Sequence, residues 1–181
     1  MIYRALGQQY QTPTVGLMFE DDNFLKLVND PKKYFSAIPV PLSDARVEDG
    51  ITHYTLIKIL DIEAICVHYA TCQEAIDAWV RRSKRVNYKK IAVIGNSWNL
   101  HQNPDLVKKL SKCRYPTRIF TLGDFNIQNG IRMNPRHYSC DVYGVPKPDI
   151  ITTRHLNGKL SFEYLFNFYH WINELFGSQK N

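Results

Sequence analysis

The sequence predicts one α/β domain spanning residues 1–181, a three-layer sandwich with a mostly parallel, Rossmann-like central sheet. The first ground is the order of segments along the chain: strand, helix, strands, helix, strand, helix, strand, helix, which places helices on both faces of a sheet. The second is size. A chain of 181 residues with 44% hydrophobic and 13% aromatic content can bury one sizeable core and lies near the usual length of one domain. The third is that no internal repeat or low-complexity tract interrupts that order.

Residues 2–10 predict a short opening helix. Thr12-Pro13-Thr14 then leads, through an extended X-Pro step, into the apolar run 15–19, expected as a buried strand. Asp21 and Asp22 offer capping oxygens to a helix whose Phe24, Leu25, Leu27 and Val28 face inward. Asp30-Pro31 restarts it, with proline at a first helical position and Tyr34 and Phe35 packed below. Residues 36–53 hold two prolines, one glycine and scattered charge, and predict a loop with room for one turn. Residues 54–60 and 64–68 are strand-like and broken by Asp61-Ile62-Glu63, which leaves a hairpin and one bent strand as alternatives.

The clearest local signal is Thr71-Cys72-Gln73-Glu74, a capping box in which the threonine accepts from the third helical N–H and the glutamate reaches back. The helix it opens is expected to run to about Asn87. Its apolar face carries Ile76, Trp79, Val80 and Ser83 and closes at Val86, while Arg81, Arg82, Lys84 and Arg85 spread over the rest. Residues 90–95 follow as a buried strand and 96–99 as a loop. Asn103 and Pro104 open a helix with Leu106, Val107 and Leu110 inward, and residues 118–122 form the next strand. Residues 123–147, rich in Asn, Gly and Pro, predict a long irregular loop that is functional or packed by its own aromatics Phe125, Tyr138 and Tyr143. Asn157-Gly158 marks a turn before a strongly apolar closing helix over residues 161–176.

A net charge of +6 and a pI near 9.1 favour anionic partners without choosing among phosphorylated small molecules, nucleotide-sugars, nucleic acid and an acidic membrane face. Nucleic acid rests on charge and aromatics alone and is not the expected partner. Cys66, Cys72, Cys113 and Cys140 contain no C-x-x-C pair and no paired His motif, which argues against zinc and for reduced thiols. The first residues lack the apolar core of a signal peptide, and no stretch approaches the roughly 18 apolar residues of a membrane span. A cytoplasmic protein with no transmembrane segment is expected. No G-x-G-x-x-G, Walker loop, G-x-S-x-G elbow or H-E-x-x-H motif occurs, so no cofactor is implied.

The densest group of chemically able side chains is Asp61-x-Glu63, His68-Tyr69 and Trp79-x-x-Arg82-x-x-Arg85. At the carboxyl end of a strand leading into a helix, His68 and Tyr69 stand where α/β proteins place ligands; alternatively His68 caps the strand and Trp79 is core. Arg82 and Arg85, three apart on a helix, can grip one phosphate or carboxylate, or belong to a solvated face tied by Asp77 to Arg81. Tyr10, Thr12 and Thr14 precede the first strand, and their hydroxyls suit a sugar or phosphate, or satisfy loop backbone. Glu20, Asp21 and Asp22 provide a general base or a divalent-cation site, or serve as helix caps.

The words Tyr3-x-x-Leu6-Gly7-x-x-Tyr10-x-Thr12-Pro13-Thr14-Val15-Gly16-Leu17, Asn23-Phe24-Leu25-Lys26, Asp61-Ile62-Glu63, His68-Tyr69, Glu74-Ala75, Trp79 and Arg82-x-x-Arg85-Val86-Asn87 together resemble the bacterial family known as domain of unknown function 1919. The resemblance covers residues 2 to about 122 well and the remainder loosely. Members are met among exopolysaccharide and capsule biosynthesis genes, so the resemblance implies a role in surface-glycan assembly and names no reaction. Family members carry a further strand and a Cys- and Gly-containing turn before the Tyr-x-x-Leu-Gly segment. This chain begins after it, which implies an inactive version or an upstream start, and a sheet edge that a partner chain or a second copy could cover. The expectation is a transferase acting on a sugar or nucleotide-sugar: Arg82 and Arg85 hold phosphate, His68 is acid or base, Glu20 or Asp22 assists, and Tyr10, Thr12, Thr14 and Tyr69 line the substrate. The alternative is a non-catalytic binding or assembly subunit of a polysaccharide machine.

Overall fold

In a computed structural model, which describes residues 9, 11–96, 104–121, 128–132 and 166–177, the chain divides into two units, Met1–Lys90 and Ile91–Asn181. The elements of the first unit are α1 (Asp21–Asn29), α2 (Pro31–Phe35), β1 (Val40–Ser43), β2 (Arg46–Glu48), β3 (Ile51–His53), β4 (Thr55–Ile59), β5 (Ile62–Cys66) and α3 (Cys72–Ser83). Those of the second are β6 (Val93–Asn96), α4 (Pro104–Ser111), β7 (Thr117–Thr121), β8 (Gly130–Arg132) and α5 (Phe168–Phe176).

The first unit is built on the hairpin of β4 and β5. Residues alternate along both strands, so Thr55, Ile57 and Ile59 share one buried face with Ile62, Ala64 and Cys66, while Lys58 and Glu63 pair on the exposed face. Leu60 and Asp61 alone connect Ile59 to Ile62, a link too short for anything but antiparallel pairing. β1 adds to the other side of β4, also antiparallel, giving the order β1-β4-β5. Helix α3 covers β1 and β4, and α1 covers β5. Trp79 is 1% exposed, meets the Phe35 ring edge-on at 5.6 Å, and donates its indole N–H to Ala37 O at 3.2 Å. Leu27, Tyr34 and Ala75 complete the centre of this core.

In the second unit, β6, β7 and β8 lie in that order and parallel, with α4 between β6 and β7 as the crossover that parallel neighbours require. Val107 and Leu110 of α4 are buried. A Cβ on Gly95 would stand 2.6 Å from Leu110 Cδ2, so any larger residue there would force the buried leucine side chain to shift. Phe168 and Trp171 bury the inner face of α5; Phe168 meets Phe120 at 5.8 Å, and the Arg118 guanidinium stands 5.2 Å from the centre of the Trp171 ring.

A mostly parallel, Rossmann-like central sheet is therefore incorrect. Among the described residues, the larger share of the pairing is antiparallel, in the β1-β4-β5 sheet and the β2-β3 hairpin, and the parallel pairing lies in the small β6-β7-β8 sheet. The reason is connection length: the two-residue links that join β2 to β3 and β4 to β5 permit only antiparallel pairing, whereas a helix, α4, lies between the parallel neighbours β6 and β7. The buried strand expected over residues 15–19 is a turn followed by one bridge, Met18 to Ile65. Residues 36–53, expected as a loop, hold β1 and the β2-β3 hairpin. The helix after Thr71 ends at Ser83 rather than near Asn87. The closing helix, expected over 161–176, begins at Phe168, after the non-helical Phe166 and Asn167. The expected helix at 2–10, the Asn103 cap, most of 123–147, the Asn157-Gly158 turn and residues 161–165 lie outside the described residues. Among the described residues, no helix is long and apolar enough to cross a membrane.

Candidate functional site at the Pro13–Gly16 turn

Thr12 opens the site. Its hydroxyl accepts from Thr14 N–H at 3.4 Å and shares a hydrogen bond with the Thr14 hydroxyl at 2.8 Å, and Leu17 N–H closes the turn on Thr14 O at 3.1 Å. Gly16 leaves the turn at φ +80°, a conformation that side-chain-bearing residues rarely adopt. A Cβ there would also stand 3.2 Å from the Tyr69 ring and 3.5 Å from His68 Cβ. The close approach of residues 12–16 to the His68-Tyr69 step therefore depends on glycine.

Beyond Cys66 the chain turns, with Tyr69 N–H donating to Cys66 O at 3.3 Å. The Tyr69 hydroxyl donates to Val15 O at 3.2 Å. From the last full turn of α3, Arg82 Nη1 donates to the same carbonyl at 2.9 Å and to Tyr69 Oη at 2.6 Å. A guanidinium that donates to the phenol oxygen favours the phenol proton pointing onward to Val15 O. The result is a three-way tie between α3, the end of β5 and the turn.

The sequence-derived candidates separate by geometry. Thr12, Thr14, His68, Tyr69 and Arg82 come together around Val15 and Gly16. His68 is exposed, while Tyr69 and Arg82 are half-buried. Arg85 does not extend a helical row with Arg82: it lies in the turn after the helix, its N–H on Arg82 O at 2.9 Å, and it is exposed. Glu20 and Asp22 lie toward the opposite end of β5. Met18 and Ile65 exchange two backbone bonds of 2.8 Å in antiparallel sense, so the chain before Met18 runs toward His68 and the chain after it runs toward Glu63 and Asp61. Asn23 Nδ2 accordingly donates to Glu63 O at 3.5 Å, and Lys26 Nζ pairs with Asp61 at 3.1 Å. Tyr10 lies outside the described residues.

Other acidic candidates have structural duties. Glu20 occupies the N-cap position of α1 without a side-chain cap bond, and Asp21 and Asp22 fall in the first turn, so the expected capping by these aspartates is replaced by charge at the positive end of the helix. Burial, reinforced by Glu20 and Asp22, raises the pKa of the Asp21 carboxyl from its ordinary value. Asp61 takes bonds from Lys26 and the Tyr34 hydroxyl, which hold it down to about 2. Asp77 accepts from Gln73 at 2.8 Å instead of serving Arg81. Burial pushes the Cys66 thiol up to about 12 and raises Cys72 as well, which makes both core thiols poor nucleophiles. Among the described residues, no three His, Cys, Asp or Glu side chains gather as a metal cage.

Sequence reading missed two participants. Val15 acts through its carbonyl, which leaves no trace in residue type. Asp44 accepts from Cys72 N–H at 2.6 Å, a bond that lowers its own pKa and fills a donor at the start of α3; only the fold brings it there.

A family model described as domain of unknown function (DUF1919) matches residues 1–140, which include the whole first unit. No curated protein matches the chain.

Proposed function

The chain belongs to the DUF1919 family, and from that premise we propose that it acts in bacterial surface-glycan assembly by binding the phosphorylated part of a sugar or nucleotide-sugar at the Pro13–Gly16 turn. The observation that carries this reading is the convergence of the Thr12 and Thr14 hydroxyls, the exposed residue His68 and the Arg82-Tyr69 pair on one short turn. Hydroxyls and an imidazole offer donors to phosphate oxygens, and the guanidinium behind them supplies a favourable field. Arg85, exposed beyond the helix, is placed to contribute charge at longer range. In a group transfer His68 is the acid or base, because it is an exposed imidazole-bearing residue beside the turn.

Titration calorimetry with a panel of nucleotide-sugars and sugar phosphates tests this. A phosphorylated ligand is expected to bind and its unphosphorylated parent to fail, and Thr14→Val together with His68→Ala is expected to weaken binding about 10- to 100-fold. Indifference of the chain to the whole panel, or of the binding to that double substitution, would remove the proposal.

A second reading, a non-catalytic binding or assembly subunit of a polysaccharide machine, has one specific support. Glu20 and Asp22 lie away from His68, and among the described residues no carboxylate bonds its imidazole. Stable co-purification with a glycosyltransferase, with binding but no turnover by the isolated chain, would favour this reading over a transferase.

A further inference from the structure

The excess charge of this chain is local. Residues 81–90 hold six of its 23 Lys and Arg and none of its 17 Asp and Glu, so everywhere else 17 cations face 17 carboxylates and the net charge of +6 belongs to these ten residues alone. The cations are Arg81, Arg82, Lys84, Arg85, Lys89 and Lys90.

Their placement divides them in two. Arg82 turns inward to Val15 and Tyr69, and Val86 packs against the core, so the segment is pinned at two points. The other five cations are exposed, on the last turn of α3 and the two turns that follow. Attraction to the helix C-terminus accounts for Arg81 but not for Lys84, Arg85, Lys89 and Lys90, which lie beyond its final helical residue. Tyr88 stands among them, 36% exposed.

We propose that residues 81–90 dock the chain peripherally on an anionic lipid surface. Several separated cations fanned from a helix end and two turns match a two-dimensional array of charges. They do not form a groove for a single strand, which needs a row of stacking aromatics where this segment has one. Nor do they present an element shaped to enter a duplex groove, since what faces outward is a helix C-terminus. Clusters of four to eight Lys and Arg bind acidic headgroups through summed attraction at the surface, and a tyrosine among them suits the headgroup layer, where an apolar ring and a polar tip are both accommodated. The attachment is electrostatic, reversible and salt-sensitive, and it is distinct from the turn at Pro13–Gly16.

Co-sedimentation of the full chain with vesicles tests it. Vesicles of phosphatidylglycerol mixed with phosphatidylcholine are expected to bind the chain at least about tenfold more tightly than phosphatidylcholine alone, and raising salt to about 0.5 M is expected to release it. The Arg81→Gln, Lys84→Gln, Lys89→Gln triple variant is expected to lose about tenfold or more in partition, with an unchanged circular dichroism spectrum and unchanged binding at the Thr12–Gly16 turn. Lys84→Glu alone, an independent change at one exposed residue, is expected to act in the same direction. Equal binding to both vesicle types, partition untouched in both variants, or tighter binding to a single-stranded oligonucleotide than to the acidic vesicles would overturn the proposal.

Discussion

Gly16 and Asp61 illustrate how single residues acquire roles that composition does not announce. At Gly16 two demands coincide, a positive φ and the absence of a Cβ beside the Tyr69 ring, and any L side chain violates both. Asp61 belongs to a local sequence group that suggests chemistry, Asp61-x-Glu63 followed by His68. Its carboxylate is instead tied to Lys26 at 3.1 Å, Lys33 at 3.4 Å and the Tyr34 hydroxyl at 3.0 Å, which fastens the β4-β5 turn to α1 and α2. The folded-state pKa near 2 lies below the ordinary aspartate value. The stability this linkage supplies is therefore fully present above about pH 4 and is lost as pH falls through about 2. Because the side chain is half exposed, the effect is screened and modest. An acid titration followed by circular dichroism should show a shallower loss of stability between about pH 4 and 2 for Asp61→Asn than for the parent chain, and identical acid limbs would contradict this role. Neither role is legible in the sequence, since the partners are distant along the chain.

At the scale of elements, what was legible was whatever depends on near neighbours. The capping box is observed with one difference: Thr71 Oγ1 accepts from Glu74 N–H at 3.3 Å, and Glu74 reaches back to Ala70 N–H at 3.2 Å, one residue before the cap. Asp30 likewise caps α2 through Lys33 N–H at 3.1 Å, with Pro31 in the first turn and Tyr34 and Phe35 buried, as the sequence predicts. Thr71→Ala should cost about 1 kcal/mol, read as a lower urea midpoint at constant slope. Asp44 keeps one neighbouring donor satisfied in that variant, so a loss well above about 2 kcal/mol would mean that Thr71 holds more than the cap. The β2-β3 hairpin carries a local signal of its own, although residues 36–53 as a whole predict a loop. Asp49 and Gly50 sit between paired Glu48 and Ile51 with φ values of 50° and 75°, the doubly positive turn that Asp-Gly favours. Its flanks, Val47 at 72% and Ile51 at 62% exposure, lack the half-buried alternation by which strands are ordinarily recognised.

For the whole molecule, Trp79 shows how much of the first unit rests on one side chain. It is buried against Phe35 and bonded to Ala37 O, in the core that joins α3 to the β1-β4-β5 sheet. Trp79→Ala should cost about 3–5 kcal/mol, a large part of the roughly 5–15 kcal/mol that holds an ordinary domain folded. Denaturant unfolding followed by far-ultraviolet circular dichroism measures this directly, and a cost below about 1 kcal/mol would show that the core does not depend on the indole. The sequence by itself determined the starts of α2 and α3, the inward placing of Trp79, Val107 and Leu110, and strands close to those observed around 55–66 and 117–121, because periodicity, capping and turn chemistry act over a few residues. Only the tertiary structure decided strand direction, the division into an antiparallel unit and a parallel one, and the meeting of the Thr12–Gly16 turn with His68, Tyr69 and Arg82. Those outcomes depend on backbone hydrogen bonds and close approaches between residues far apart in the chain, such as Arg82 and Val15. Backbone donors and acceptors are the same at every position but proline, so no residue type records them.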